Sequence, residues 1–521
     1  MGVPKIFSWL SRKFEQCIVK TNPHRPDIFC IDANSLIHPI CYDIKELYID
    51  TSITEEELEE KMIEQIINEI KNLNDYFNPT CYTYIAVDGI APLAKICHQR
   101  KRRYKSVMET ELRNSIKKKH GIKYSDWQNT KISPYTEFME KLDIAFLKEF
   151  SNTKYKYSSY KECGEGEHKL IQDMKKDKNK KYTIWGMDAD LIFLSMCSEI
   201  NDIILCHDDR KEKEYIIIDE LKKAFHNELI DLAKKEQYEI DVTMDYTKDI
   251  TFACFFLGND FLPKCLSLDI YSNGLIKILS TFIKCLKDLP DHRFIQCNKI
   301  DSIFLKKFIE ELLKFEYGYF KNMLTINNIR VLNVAKKAEA ITNPYELDTY
   351  NIDNLVGIEK YPLGQYNDVK NRNEFYKTYF KANNVLFYKK YICEKYLETL
   401  YWTAKYYFET CEDWLHYYKF DYAPFLVDLH EYLTKYEYVN KEVKNEAVHP
   451  MTQMLSIIPP QLLNLVPKKY HNIMKDEYYS TLFPRTITLD YAHKDKYYEC
   501  LPSMMHIDLF AITDIVKSLE V

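Results

Sequence analysis

Short apolar runs alternate with longer amphipathic stretches through roughly the first 285 residues of the chain. The clearest runs have the length and the aromatic and β-branched content of buried strands: IFCI (28–31), YIAV (84–87), YTIW (182–185) and IILC (203–206). Strands that alternate with helical stretches predict an α/β fold with a mainly parallel central sheet flanked by helices. From about residue 300 the pattern is mainly helical and rich in tyrosine. We therefore expect two domains packed together, at 1–285 and 300–521.

One helix start is well marked. Thr54 and Glu57 have the spacing of a capping box, which predicts a helix over 55–72. The EEELEE segment (55–60) at its start predicts a solvated acidic face.

Composition narrows the class of protein. Hydrophobic residues make up 46% of the 521 residues and aromatic residues 14%, which is typical of a packed globular protein and excludes a disordered one. The 15 cysteines show no CxxC pair and no zinc-type spacing, so we expect reduced thiols in an intracellular protein. No apolar run approaches the roughly 20 residues of a membrane helix.

Acidic residues follow the predicted strands at the point where each strand ends. Asp32 follows IFCI, Asp88 follows YIAV, and Asp188 and Asp190 follow YTIW after a Gly-Met step. Asp260, in FFLGNDF, closes a further apolar run in the same manner. Because ligand sites of parallel sheets lie beyond the carboxyl ends of the strands, we expect these acids to meet at one edge.

Two further acids, Glu165 and Glu167, lie in CGEGEHK (163–169), where each follows a glycine. The chain has only 11 glycines, yet five lie within two residues of one of the seven acids: Gly89, Gly164, Gly166, Gly186 and Gly258. Glycine permits tight turns and close approach of the backbone. We predict that these glycines let acids from distant segments converge.

Converging acids require counter-charge. Two carboxylates about 4 Å apart repel by roughly 4 kcal/mol at an effective dielectric constant near 20. Hard oxygen ligands without cysteine or histidine suit Mg²⁺ or Mn²⁺, and two such ions can hold a phosphodiester for in-line displacement. We therefore predict a site for two Mg²⁺ ions, with Mn²⁺ as a substitute, formed by Asp32, Asp88, Glu165, Glu167, Asp188, Asp190 and Asp260. Any one of these acids alone would be read as solvated surface.

A strongly basic segment, LAKICHQRKRRYKS (93–106), follows the turn at Asp88. On a helix, four of its residues occupy positions i, i+4, i+7 and i+8 of one face: Lys95, Gln99, Arg102 and Arg103. Guanidinium forks, an ammonium and an amide on one face suit a terminal phosphate. A solvated basic helix or a general tether for nucleic acid remains the alternative.

The ordered set of segments resembles the XRN family of 5′→3′ exoribonucleases over nearly the whole chain. The similar segments are MGVPKIFSWL (1–10), IDANSLIH (31–38), AVDGIAPLAKICHQRKRRYKS (86–106), SPYTEFMEKL (133–142), CGEGEHK (163–169), WGMDADLIFL (185–194), FFLGNDFLP (255–263), 396–429, 450–474 and LFPRTITLDY (482–491). The resemblance implies a PIN/5′-nuclease-like fold with a reduced second region. The chain departs from the family pattern at Tyr135, where a glycine is usual, and at Asp421, where a histidine is usual.

The resemblance also implies roles for the residues that match. The seven acids would bind metal, and Lys95, Gln99, Arg102 and Arg103 would bind the RNA's 5′-monophosphate. His38 would stack on the terminal base, and a tryptophan of the second region, Trp402 or alternatively Trp414, would stack from the other side. The implied activity is processive degradation of decapped, single-stranded RNA to nucleoside 5′-monophosphates. The expected partner is the decapping machinery, and we expect a cytoplasmic monomer, with nuclear residence as the alternative.

Two other function classes stay open at this stage. Flap endonucleases of the related superfamily also begin with a Met-Gly segment and use clustered acids, but they follow the last acid with a glycine-rich hairpin. Here Asp260 is followed by FLPKCLSLDIYSNGLIKIL, which lacks that hairpin. A non-catalytic RNA-binding scaffold on a nuclease fold is the third class, and such proteins usually lose acids that this chain retains.

Overall fold

The computed structural model describes residues 6–208, 212–268, 270, 273–296, 299–359, 366, 368–436, 438 and 442–520. The first five residues of the segment MGVPKIFSWL therefore lie outside the described residues, as does residue 521. All residues that the sequence proposes for the site are described.

A seven-stranded sheet forms the centre of the first region. Its strands are β1 (Ile18–Val19), β2 (Ile28–Asp32), β3 (Tyr82–Ala86), β4 (Tyr155–Ser158), β5 (Tyr182–Trp185), β6 (Ile203–Asp208) and β7 (Lys213–Ile217). The spatial order is β1-β7-β6-β5-β2-β3-β4. The neighbours from β6 to β4 pair in parallel, while β7 pairs antiparallel with both β6 and β1. The predicted mainly parallel sheet is confirmed.

Helices surround this sheet and make up most of the second region. Those of the first region are α1 (Ile6–Lys13), α2 (Asn34–Leu47), α3 (Glu55–Phe77), α4 (Leu93–Lys119), α5 (Glu137–Glu149), α6 (Gly166–Met174), α7 (Asp190–Cys197), α8 (Ile218–Lys235), α9 (Thr247–Cys254) and α10 (Gly274–Asp288). The later ones are α11 (Ser302–Glu339), α12 (Pro344–Asp353), α13 (Val369–Phe380), α14 (Val385–Phe408), α15 (Leu426–Lys435), α16 (Pro450–Ile457), α17 (His471–Lys475) and α18 (Leu509–Glu520). Two short ribbons pair β8 (Ile295–Gln296) with β9 (Lys299–Ile300) and β10 (Thr488–Asp490) with β11 (Leu501–Ser503). Among the described residues, no helix has both the length and the apolar character needed to cross a bilayer.

The capping box at the start of α3 is confirmed. The Thr54 backbone N–H donates to Glu57 Oε2 over 2.9 Å, and the Glu57 N–H donates to Thr54 Oγ1 over 3.2 Å. The helix runs five residues beyond the predicted end at residue 72. The expectation of a fully solvated acidic face is wrong at Glu59, which is buried and accepts hydrogen bonds from Lys131 (2.6 Å) and Lys141 (3.1 Å).

The largest hydrophobic core joins the two regions. It contains apolar residues of the sheet, of α7 to α11, and of α14 and α15. At one point of this core, the ring of Phe255 packs against Tyr407 of α14 at 5.0 Å between centroids. Helix α14 is therefore held against the sheet's helices at the edge where the acids lie.

Candidate active site

Three neighbouring strands, β3, β2 and β5, bring four acids to one edge of the sheet. Asp32 is the last residue of β2, Asp88 follows β3 by two residues, and Asp188 follows β5 by three. Asp190 begins helix α7 directly beyond the same strand. Because the three strands pair in parallel, their carboxyl ends coincide, as the strand pattern predicts.

Two polar residues that sequence reasoning missed hold two of these acids, Asp88 and Asp32, in place. Asn34 donates from Nδ2 to Asp88 Oδ2 (3.0 Å) and accepts from the Asp88 N–H at Oδ1 (3.2 Å). The Ser35 hydroxyl donates to Asp32 and accepts from the Met187 N–H over 3.1 Å. The sequence offered a signal for both, since they lie two and three residues after Asp32 in the segment IDANS.

Glycines allow the CGEGEHK segment to pass close to the strand ends. The Gly89 N–H donates to the Gly164 carbonyl over 2.9 Å, and the Gly166 N–H donates to Asp88 Oδ1 over 2.7 Å. A Cβ atom on Gly166 would lie 3.0 Å from Asp32 Oδ1 and 3.4 Å from Asp88 Oδ1. A side chain at Gly166 would therefore press on both carboxylates, which explains a glycine between Glu165 and Glu167.

Asp260 reaches the cluster by a different route from the predicted one. It follows helix α9 and a 3₁₀ turn at Phe255–Leu257, so the expectation that it closes a strand-like run is wrong. An apolar run of this length fits a buried helix as well as a strand. Lys95 Nζ lies 2.8 Å from Asp260 Oδ2 and 2.5 Å from Glu165 Oε2. Burial alone would raise the pKa of Asp260, but the Lys95 ammonium outweighs it and holds that pKa well below its ordinary value.

Two overlapping groups of side chains have the geometry to hold metal ions. Glu165, Glu167 and His168 bring ligand atoms within 4.8 Å of one another, and so do Glu167, Asp188 and Asp190. Glu167 belongs to both groups. The donor set is dominated by carboxylate oxygens, which Mg²⁺ and Mn²⁺ prefer.

The electrostatics of the acids also favour a cation. Burial and the charge of Asp88 raise the pKa of Asp32 to about 7. Burial and the charge of Asp188 raise the pKa of Asp190 to about 7 and that of Glu167 well above its ordinary value. Like charges in a buried site repel, and a divalent cation among them removes that cost. The residues present therefore fit a divalent metal site.

A cavity of about 810 Å³ opens at this edge of the sheet. Six of the seven acids line it: Asp32, Asp88, Glu165, Glu167, Asp188 and Asp260. Asp190 is not among the described lining residues and lies behind them, within ligand distance of Glu167 and Asp188. The same cavity is lined by Lys95, Gln99, Arg102 and Arg103 of α4. The acids and the predicted phosphate pocket thus share one cavity.

The basic face of α4 meets the cavity with Lys95 paired to Glu165 and Asp260, whereas Arg102 and Arg103 form no ion pair with the described residues. Burial and the neighbouring Arg102 lower the pKa of Arg103 to about 9, so the two guanidinium charges repel each other. Arg103 donates to the Ile132 carbonyl over 3.0 Å, which fixes its orientation. Gln99 Oε1 is buried and has no hydrogen-bond partner in the described part of the chain. A bound phosphate would relieve this repulsion.

Other cations of the same segment have structural contacts instead. Arg100 donates to the carbonyls of Ser456 and Leu482, and so ties α4 to the C-terminal part of the chain. Lys105 Nζ donates to the carbonyls of Tyr498 (2.7 Å) and Cys500 (3.0 Å). The helical spacing of the sequence correctly separates the face of Lys95, Gln99, Arg102 and Arg103 from Arg100.

The two residues expected to stack on a base lie in different surroundings. His38, on α2, lines the cavity, and burial together with the charges of Arg103 and Arg102 lowers its pKa to about 3. Its ring is therefore neutral at physiological pH and available for stacking. Trp402 is buried at 9% exposure, and its Nε1 donates to the Asp413 carbonyl over 2.8 Å. Trp402 is not among the described residues that line the cavity, so its expected contact with a base is not supported by this placement.

Trp414, the alternative, is partly buried and is also absent from the described lining of the cavity. Its carbonyl accepts from the Leu93 N–H over 2.8 Å, at the start of α4. The second stacking residue therefore stays a prediction, and neither tryptophan is among the described residues that line the cavity.

Two further residues at the acids were missed, Tyr406 and Tyr407 of α14. Their hydroxyls donate to Glu165 and Asp190, respectively. A pair of tyrosines carries no signal in a chain with 42 of them.

Comparison with known proteins finds two family models that match this chain. The family model described as XRN 5′-3′ exonuclease N-terminus matches residues 1–209, and the model described as Xrn1 helical domain matches residues 237–361 and 359–520. The chain is 27% identical over 399 residues to 5′-3′ exoribonuclease 2 of Candida albicans, covering 62% of this chain and 40% of that protein. It is 24% identical over 533 residues to human 5′-3′ exoribonuclease 1, covering 88% of this chain and 30% of that protein.

A third relative is 5′-3′ exoribonuclease 1 of Saccharomyces cerevisiae, with 28% identity over 323 residues. That overlap covers 55% of this chain and 21% of the yeast protein. The matched parts thus amount to less than half the length of each of these curated relatives.

Proposed function

Because the chain belongs to the XRN 5′-3′ exonuclease family, we propose that it is a processive 5′-to-3′ exoribonuclease. Its substrate is single-stranded RNA that begins with a 5′-monophosphate. Each cycle releases one nucleoside 5′-monophosphate and leaves an RNA that again carries a 5′-phosphate. The observation that carries the proposal is the single cavity lined by both the clustered acids and the cationic face of α4.

Two divalent ions, Mg²⁺ in the cell and Mn²⁺ as a substitute, would be held by the seven acids. The overlapping ligand groups that share Glu167 support two ions rather than one. When bound, such ions supply activation of the attacking water and charge stabilisation of the leaving 3′-oxygen.

The chain's own residues select and align the RNA. Lys95, Gln99, Arg102 and Arg103 bind the terminal phosphate, and this contact sets which linkage lies over the acids. Lys95 contacts Glu165 and Asp260 directly, so it couples the phosphate pocket to the acid cluster. Charge-assisted hydrogen bonds to a dianion are stronger than neutral ones, which favours a 5′-phosphate over a 5′-hydroxyl end.

The neutral His38 ring stacks on the first base. Stacking contributes roughly 1–3 kcal/mol per base without a preference for sequence, as an enzyme that degrades any RNA requires. As membership of the family implies, a capped or triphosphorylated end does not enter this pocket, and decapping enzymes are the proposed source of the substrate. The two-domain division, the monomeric state and cytoplasmic residence stay predictions.

The test compares RNAs that differ only at the 5′ end. We expect the wild-type chain with Mg²⁺ to degrade 5′-monophosphate RNA, to release nucleoside 5′-monophosphates, and to spare 5′-hydroxyl, triphosphate and capped RNA. Replacing Arg103 with alanine removes contacts worth about 1.5–3 kcal/mol with a charged group. In Arg103→Ala, the rate on 5′-phosphate RNA divided by the rate on 5′-hydroxyl RNA should therefore fall by about 10-fold to 100-fold. The affinity of the variant for Mn²⁺ should change little.

Lys118→Ala provides the matched control, because Lys118 is an exposed cation on the same helix outside the cavity. It should leave the ratio unchanged. Equal turnover of phosphate and hydroxyl ends by the wild type would contradict the assignment of the phosphate pocket. Cleavage of a DNA flap without decay of RNA would instead favour a flap endonuclease.

A further inference from the structure

Helix α14 of the helical region places two consecutive tyrosines against the acid cluster. Tyr406 Oη donates to Glu165 Oε1 over 2.8 Å, and Tyr407 Oη donates to Asp190 Oδ1. Consecutive side chains on a helix point about 100° apart, so the two hydroxyls reach two different acids. Glu165 precedes α6 and Asp190 begins α7, so α14 contacts the starts of both helices.

The ring of Tyr406 is fixed by packing that does not depend on the acid. It stacks on His168 at 3.8 Å between centroids with a 16° angle, and on Trp402 at 5.1 Å with a 25° angle. Trp402 is anchored in turn by its hydrogen bond to the Asp413 carbonyl. The hydroxyl of Tyr406 is thus held in place before it meets the carboxylate of Glu165.

The ring of Tyr407 is held in a similar way by the hydrophobic core. It packs edge-on against Phe255 at 5.0 Å, and both tyrosines are less than 5% exposed. The acids that they contact are equally buried, with Glu165 at 3% and Asp190 at 2% exposure. Little of either carboxylate is exposed, and the tyrosines provide fixed donors to them.

We propose that Tyr406 and Tyr407 are positioning residues that orient Glu165 and Asp190 as ligands for the divalent ions. The inference rests on the proposed function, because it assumes that the acids bind metal. A carboxylate has several lone pairs, and a hydroxyl that occupies one of them fixes the plane of the group while leaving others for a cation. Hydrogen-bonded partners of metal ligands typically contribute 10-fold to 100-fold to metal affinity. The nuclease region therefore needs α14 of the helical region to complete its site.

The experiment replaces each tyrosine with phenylalanine in the full chain, which removes the hydroxyl and retains the ring. Mn²⁺ affinity is measured by calorimetry for Tyr406→Phe, Tyr407→Phe and the double variant. Tyr401→Phe is the matched control, because Tyr401 is buried on the same helix and packs its ring against Tyr438 at 4.9 Å. Thermal unfolding in chelator and the Mg²⁺ dependence of RNA decay are measured on the same samples.

We expect each variant at Tyr406 or Tyr407 to bind Mn²⁺ about 10-fold more weakly than the wild type. The Mg²⁺ concentration for half-maximal RNA decay should rise by a similar factor, and saturating Mg²⁺ should restore most of the rate. The KM for 5′-phosphate RNA and the unfolding midpoint in chelator should change no more than in Tyr401→Phe.

Unchanged Mn²⁺ affinity in both variants would overturn the inference, even if their stability falls, since that outcome describes tyrosines that only pack. A rate loss that saturating Mg²⁺ does not restore would also contradict it. These failures differ from a failure of the proposed function, in which the wild type itself would neither bind Mn²⁺ nor degrade RNA.

Discussion

Replacing Gly166 with alanine adds one methyl group at the point where the CGEGEHK segment meets the strand ends. The new Cβ would lie 3.0 Å from Asp32 Oδ1, 3.1 Å from the Ala86 carbonyl and 3.4 Å from Asp88 Oδ1. The Ala86 carbonyl cannot give way easily, since it belongs to β3 and accepts from the Ala33 N–H over 2.9 Å. The carboxylates must therefore move by a few tenths of an ångström.

The size of the effect follows from this geometry. Inserting a methyl group into a packed site costs typically about 1–3 kcal/mol. Alanine also gains up to about 1 kcal/mol over glycine in a helix, although Gly166 stands at the first position of α6, where the gain is smaller. We expect the free energy of unfolding to fall by about 1–2 kcal/mol. The rate should also fall, because a displacement of about 1 Å at reacting groups can cost roughly 100-fold and a few tenths of an ångström should therefore cost about 3-fold to 10-fold.

The assay measures urea unfolding, Mn²⁺ affinity by calorimetry and the rate of RNA decay for Gly166→Ala. Gly318→Ala is the control, since Gly318 lies within α11 and an added Cβ there meets nothing within 4 Å. That control should be slightly more stable than the wild type and equally active. If Gly166→Ala keeps wild-type Mn²⁺ affinity and activity, the explanation of this glycine as a requirement for close approach is refuted.

Three other predictions can be tested with similar measurements of unfolding and RNA decay. Trp402→Ala should lower the free energy of unfolding by about 3–5 kcal/mol, because it empties a buried site. If the variant instead kept normal stability and lost only RNA affinity, Trp402 would be assigned to base stacking after all. His38→Phe should keep RNA decay, since phenylalanine also stacks. The pKa of His38 is 6.5 in the unfolded chain and about 3 in the folded chain, so the stability of the wild type falls as pH drops from 6.5 toward 3. Urea unfolding at pH 7 and pH 5 should show a smaller fall in the variant. Mg²⁺ at 100 times its Kd should stabilise the wild type by about 2.7 kcal/mol in thermal unfolding, and no shift would contradict a metal site.

The strand pattern predicted the part of the site that depends on backbone topology. Asp32 ends a parallel strand, and Asp88 and Asp188 each follow one. The apolar runs that form these strands are visible in the sequence. Strand β4 (Tyr155–Ser158) was not predicted, because its sequence YKYS is polar and short, as edge strands often are. The pattern of acids grouped Asp260 with the others, and it lines the same cavity. The element before it was predicted wrongly, since an apolar run does not distinguish a buried strand from a buried helix.

Side-chain contacts across the two regions were beyond prediction from the sequence. Nothing in the local pattern distinguishes Tyr406 and Tyr407 from the other tyrosines of the chain, because their role depends on how α14 packs against α6 and α7. The same packing buries Trp402, for which the resemblance alone had implied a contact with RNA. His38 lines the cavity and Trp402 is not among the described lining residues, a difference that only the fold determines.

The proposed two-metal site is tested most directly by anomalous diffraction from crystals of this chain soaked in Mn²⁺. We expect two anomalous peaks in the cavity that Arg102 and Arg103 also line, among the carboxylates of Asp32, Asp88, Glu165, Glu167, Asp188, Asp190 and Asp260. Peaks elsewhere on the molecule, or none at these carboxylates with Mn²⁺ in large excess, would contradict it.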